Sequence, residues 1–148
     1  MILTDMFRHL TDPLSRAPAF ALYGQGGVGK TQLALKYAMD HCNEFDFILW
    51  VYAATSEKLA ADFATIAQEV GVSKGTETLE QSREQLHKWF QKTNRWLLIF
   101  DNADDLDILE PYFPSEFRGG VGGLRSPHLQ RLGGKGLHIS QRGSSLFH

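Results

Sequence analysis

"ALYGQGGVGKTQLAL", residues Ala21–Leu35, is the stretch on which the fold class turns. It opens as an apolar run, places four glycines in the six positions 24–29, and passes directly into a segment with helical spacing. Gly24-Gln25-Gly26-Gly27-Val28-Gly29-Lys30-Thr31 has the form G-x-x-x-x-G-K-[ST] between a strand and a helix. Glycines let the backbone curl until successive N–H groups point inward, with no Cβ to hold a phosphate away. The helix that follows adds its unpaired N–H groups and the positive end of its dipole. Lys30 is placed to reach the outer phosphates, and the Thr31 hydroxyl to take one position on Mg²⁺, a cation that prefers oxygen ligands. A flexible linker of the same composition would not be bounded by a buried strand and an apolar-striped helix.

Outward from this loop the chain alternates. "APAFALYG" (17–24), "FDFILWVYA" (45–53) and "RWLLIFDN" (95–102) read as buried strands, the second covered on both faces. Between them, Leu33, Ala34, Tyr37 and Ala38 share helical spacing, and Leu59, Phe63, Ile66 and Val70 recur at intervals of 4, 3 and 4. Ser56 is the expected cap of that second helix and Gly71 its stop. "TLEQ" (Thr78–Gln81) fits a capping box, with Leu79, Leu86 and Phe90 on one face of a third helix. The order implies an α/β fold with a parallel sheet and flanking helices.

A site of this kind also needs an acid at the end of a neighbouring buried strand to hold the metal through water, and Asp101 closes "WLLIF". Lys30 and Asp101 are therefore the candidate catalytic residues, and Thr31 and Asp101 the candidate metal residues. Candidate nucleotide contacts are Gly24, Gln25, Gly26, Gly27, Val28, Gly29, Lys30, Thr31 and Gln32. Where a second acid would orient attacking water, the chain has Asn102; an amide is no general base, which leaves Asp104 or Asp105 to substitute.

Composition narrows the remaining classes. The 148 residues suffice for one domain, and a net charge of −2 gives no electrostatic reason to expect nucleic acid or an anionic membrane. The charge is uneven: residues 117–148 hold five basic side chains and no acid, leaving the first 116, with all 17 acids and ten of the 15 basic residues, at −7. A single cysteine, Cys42, and no secretion signal point to a reducing cytoplasm and a partly packed thiol. The six histidines never stand at H-x-x-x-H spacing, and Trp50, Trp89 and Trp96 fall in apolar stretches as core residues. Three segments follow: a lead-in at 1–16 with a turn or two of helix around Met6, Phe7 and Leu10, a nucleotide-binding unit at 17–116, and a Gly/Arg-rich tail at 117–148 without regular structure.

"YGQGGVGKTQLALKYA", "FDFILWVYAAT" and "WLLIFDNADD" together resemble the NB-ARC family of signal-transduction (STAND) P-loop NTPases, and "LLIFDNADD" looks most like its fungal immune-receptor members. The resemblance covers residues 17–116 and implies a P-loop NTPase-type sheet, here incomplete. It implies a switch that holds ADP, exchanges it for ATP with Mg²⁺, hydrolyses slowly and self-oligomerises in the full-length protein. Gly26, Gly27, Gly29, Lys30 and Thr31 would touch phosphate, and Asp101 would be the metal-side acid. Adenine comes from the resemblance alone. The family continues with a strand ending in a phosphate-sensing arginine, placed between the strand before the loop and the strand ending at Asp101. "GLHISQR" (136–142) is a faint echo of it, with Arg142 in the arginine's place, so a gap in mid-sheet and a non-native continuation from residue 118 are expected. Two other functions stand beside the switch: an independent small P-loop kinase or hydrolase, and a truncated fragment that binds no nucleotide.

Overall fold

The structure is a computed structural model that describes residues 2–10, 19–22, 29–103, 105–114 and 137–141. In chain order the elements are α1 (Ile2–Leu10), β1 (Ala19–Leu22), α2 (Lys30–Asp40), β2 (Phe47–Tyr52), α3 (Ser56–Glu69), α4 (Leu79–Lys92), β3 (Trp96–Asp101), α5 (Leu106–Leu109) and β4 (Leu137–Gln141). The four strands form one sheet in the order β1-β4-β3-β2. This is the expected α/β arrangement, with β2 and β3 parallel in register from Phe47 opposite Trp96 to Tyr52 opposite Asp101.

Burial follows the two-residue period of β3. Leu98 and Phe100 face a cluster built with Leu49 and Val51 of β2, Leu59, Phe63 and Ile66 of α3, and Leu86 and Phe90 of α4. Leu97 and Ile99 face the other side, against Leu10 of α1 and Ala34, Tyr37 and Ala38 of α2. A strand sandwiched in this way has no polar face, which is why "WLLIF" is apolar throughout. Among the described residues the Tyr37 hydroxyl has no hydrogen-bond partner, and burial, then the Glu44 carboxylate, pushes its ionisation well above the ordinary phenol range.

Local signals read from sequence are largely met, with four corrections. The Thr78 hydroxyl accepts the Gln81 N–H at 3.1 Å while the Gln81 side chain accepts the Thr78 N–H at 3.0 Å, completing the capping box. Gly71 closes α3 at φ +83°, the left-handed stop a glycine permits. The cap of α3, however, is Thr55, not Ser56: Thr55 is extended and its hydroxyl accepts the Lys58 N–H at 3.2 Å. Leu79 is exposed, because it is the first residue of α4, and the buried face runs through Ser82, Leu86, His87 and Phe90. Cys42 is exposed, not partly packed. Finally, β2 is an edge strand, so Phe47, Ile48 and Tyr52 are exposed rather than covered on both faces.

At that edge the Tyr52 N–H is taken by the Asp62 carboxylate of α3 at 2.9 Å, and Lys58 pairs with the same carboxylate.

The expected gap in the sheet is filled. β4, from the segment expected to lack regular structure, lies between β1 and β3, the place the resemblance gives to the arginine-bearing strand. It runs antiparallel to both neighbours: Leu137 is opposite Leu22, His138 is opposite Ala21 and Phe100, and Gln141 is opposite Leu97. The direction has a topological reason. Leu109, Tyr112 and Phe113 pack in the same cluster as Phe100, so the chain after β3 stays near the end of the sheet where β3 leaves it. Entering at that end needs no crossover, whereas a parallel strand would. Arg142 lies outside the described residues; its predecessor Gln141 stands at the end of β3 remote from Asp101.

The loop between α3 and α4 is organised by one carboxylate. Glu77 accepts from the Ser73 hydroxyl at 2.8 Å and from the N–H groups of Lys74 and Thr76, both at 3.1 Å. The Ser73 hydroxyl first, and then backbone N–H groups of the loop with that of Lys74 foremost, lower its ionisation from 4.5 to about 2. A carboxyl depressed in the folded state stabilises fully above the unfolded value and loses that contribution as pH falls from about 4.5 towards 2. Glu77→Gln should therefore lose less of its urea midpoint than the wild type between ~pH 5 and ~pH 2.5; equal losses would mean that this carboxylate does not hold the loop.

Candidate nucleotide-binding site

The loop's last glycine and the first turn of α2 are described; Gly24, Gln25, Gly26, Gly27 and Val28 lie outside the described residues. Gly29 caps α2 with φ +81° and ψ 20°, and its carbonyl accepts the Leu33 N–H at 2.9 Å. A Cβ there would meet nothing within 4 Å, so the requirement for glycine is the left-handed backbone and not space. No side chain caps α2 and no acid stands in its first turn. The first N–H groups of a helix have no acceptor within the helix itself, and such an N-terminus favours an anion. Lys30 is half-buried as the first residue of α2, with Thr31 and Gln32 exposed beside it.

Asp101, the last residue of β3, comes to this turn from 70 residues away: the Thr31 hydroxyl donates to Asp101 Oδ1 at 3.0 Å. The two candidate metal residues are thus adjacent. A hydroxyl and a carboxylate are the hard oxygen donors that Mg²⁺ takes, and their chemistry fits that cation. The main chain of Asp101 is fixed as well, since its carbonyl accepts the Ala53 N–H at 2.7 Å.

Beyond Asp101 the chain makes a turn that sequence reasoning missed. Asn102 adopts φ +55°, and its N–H donates back to Asp101 Oδ1 at 3.0 Å. The available signal was asparagine itself, which enters the left-handed region more readily than most residues. Of the two acids that could replace a second catalytic carboxylate, Asp104 lies outside the described residues. Asp105 accepts the Asp107 N–H at 2.9 Å at the start of α5.

A family model described as an AAA domain matches residues 12–119. The chain belongs to the AAA-domain family. Two relatives of this AAA-domain chain agree with the resemblance to NB-ARC and NLR-like P-loop proteins. A "nucleotide-binding leucine-rich repeat (NLR)-like protein" of Hyaloscypha variabilis is 34% identical over 136 residues, covering 86% of the chain and 12% of that protein. A "probable disease resistance protein" of Arabidopsis thaliana is 30% identical over 100 residues, covering 63% of the chain and 27% of that protein. The AAA-domain chain therefore spans about an eighth and about a quarter of these relatives' lengths. No solved structure matches it. Among the described residues no helix is long and apolar enough to cross a membrane.

Proposed function

We propose that residues 17–116 form the nucleotide-binding unit of an NLR-like signalling protein, a switch module that holds ADP or ATP with Mg²⁺ and hydrolyses slowly or not at all. The observation that carries this reading is the Thr31–Asp101 hydrogen bond, which joins the turn after the glycine loop to the end of a buried strand. Phosphate lies against the N–H groups of the α2 N-terminus and the Lys30 ammonium. The Thr31 hydroxyl and, through water, Asp101 hold the cation, which when bound neutralises charge on the phosphates. Asn102 offers no base at the position after Asp101, and Asp105 serves a turn, which favours holding nucleotide over turning it over. The names of the relatives, one nucleotide-binding and one of disease resistance, support a nucleotide-binding unit in a signalling protein; we extend this to the cytoplasm, to self-association of a longer chain and to adenine nucleotide as ligand, with neither nucleic acid nor membrane as partner.

The test is an equilibrium titration of the chain with a fluorescent ADP analogue, with and without Mg²⁺. Saturable binding strengthened by the cation is the expected result. Absence of saturable binding up to about 1 mM, the weak end of the nucleotide range, would overturn the proposal.

A further inference from the structure

Among the described residues β2 has one ladder partner, and its backbone groups divide into those that face β3 and those that face away. The N–H groups of Phe47 and Ala53 point to β3, where they meet the carbonyls of Arg95 and Asp101 at 3.3 and 2.7 Å. Alternation along the strand therefore turns the N–H and carbonyl groups of Ile48, Trp50 and Tyr52 outward. The Tyr52 N–H is the one taken by Asp62. At the opposite end the Asp46 N–H is turned inward, to the Arg95 carbonyl at 2.7 Å. The open edge is thus bounded at both ends and consists of Ile48 and Trp50. It is flanked by apolar surface, since Phe47, Ile48 and Tyr52 are all exposed.

The register that uses every open donor and acceptor of two identical edges is antiparallel, with Leu49 opposite Leu49 on a two-fold axis. Ile48 of each copy then stands opposite Trp50 of the other, and each such pair exchanges both N–H···O bonds. Opposite residues share a face, so the exposed Ile48 meets Trp50 and Phe47 meets Val51, apolar against apolar. One step further out Tyr52 faces Asp46. This brings the Asp46–Arg95 ion pair of one copy to the Lys58–Asp62 pair of the other, so each end of the register is complementary in charge.

We propose that this edge joins two copies of the chain: β2 pairs antiparallel with β2 of a second copy about Leu49, continuing the sheet across a two-fold axis. The pairing closes on itself, because each copy spends its open edge on the other and Asp62 bars extension past Tyr52. The joined stretch is short, of the class that holds weak contacts. It uses neither the α2 N-terminus nor the Asp101 side chain, so it does not rest on nucleotide binding.

Sedimentation equilibrium of the chain without nucleotide, from about 10 μM to about 1 mM, spans the range of a weak interface, and a monomer–dimer equilibrium is expected. Ile48→Lys places a charge on the open edge, and Ile48→Pro removes an outward N–H without touching the ladder to β3. Each should weaken the dimer by about tenfold or more, because a two-fold axis counts every change twice. Met39→Lys, at an exposed apolar position on α2, is the control and should leave the dimer unchanged. Amide exchange needs no variant: the Ile48 and Trp50 N–H groups should slow as concentration rises, while that of Tyr52 is slow throughout. A chain still monomeric at about 1 mM overturns the proposal, and fast exchange at Ile48 and Trp50 in that monomer would leave the edge to a segment of another protein. A dimer that Ile48→Lys leaves intact joins through another face, and assembly beyond dimers marks an edge that does not close; either result overturns it. Should a variant lose its cooperative thermal transition, exchange decides, and rates at Ile48 and Trp50 that do not change with concentration overturn the proposal.

Discussion

Replacing Lys30 with alanine should weaken ADP binding in Mg²⁺ by about 100-fold, the effect of losing charge-assisted hydrogen bonds of about 2–3 kcal/mol to the phosphates. The unfolding midpoint should stay nearly constant. Lys30 is the first residue of α2, where alanine is an equally good helix former, and the helix is held to the sheet by Ala34, Tyr37 and Ala38 on its buried face. Lys36 supplies the control. It lies on the same helix, is exposed, and pairs with Asp40 at 3.1 Å, so Lys36→Ala should leave binding unchanged. Equal affinities for wild type and Lys30→Ala would remove the loop from the binding site. Equal losses in both lysine variants would reduce the effect to net charge.

Ile139→Pro should destabilise the fold by at least about 3 kcal/mol, a large share of the roughly 5–15 kcal/mol that holds a domain together. Ile139 is opposite Phe20 on one side and Ile99 on the other, so β4 is interior to the sheet and its backbone groups serve two ladders. Proline removes the N–H and forces a fixed φ in a strand paired on both sides, where a ladder hydrogen bond is lost. Thermal unfolding followed by circular dichroism is the measurement, with loss of a cooperative transition expected. An unchanged transition would show that β1 and β3 do not depend on β4. The outcome bears on function as well, because β1 leads into the glycine loop and β3 carries Asp101: their separation is the separation of the two halves of the site.

The legible parts of this chain were those fixed by short-range rules. Thr78 and Gln81 announce their capping box because both partners lie within one helical turn, and the apolar run at 96–100 announces a strand buried on both faces. Thr31 and Asp101 pair on sequence grounds because the glycine loop and the strand-ending acid imply each other chemically, and the structure places them 3.0 Å apart. Ser56 in place of Thr55 was an error of one residue between two hydroxyl side chains, settled by which backbone is extended. β4 was not legible. Its five residues sit among glycines with no sustained period, and what makes them a strand is the pair of open ladders on β1 and β3, contacts more than 35 residues distant in sequence. The position of β2 at the edge was hidden for the same reason, since its apolar run of six looks the same with one neighbour or two. The turn at Asn102 was hidden because a single asparagine does not reveal the sign of φ.

The Asp62 carboxylate on the Tyr52 N–H has a consequence for how copies of this chain behave when concentrated. An uncharged six-residue strand that stands at the edge among the described residues, such as "FILWVY", is a template on which another chain can grow. Asp62 fills one donor that an incoming backbone would need and puts an ionised group, with Lys58 beside it, where that backbone would lie. The growing ladder meets a stop at its Tyr52 end, and two charged side chains on a neighbouring helix act as the gatekeepers that the strand itself lacks.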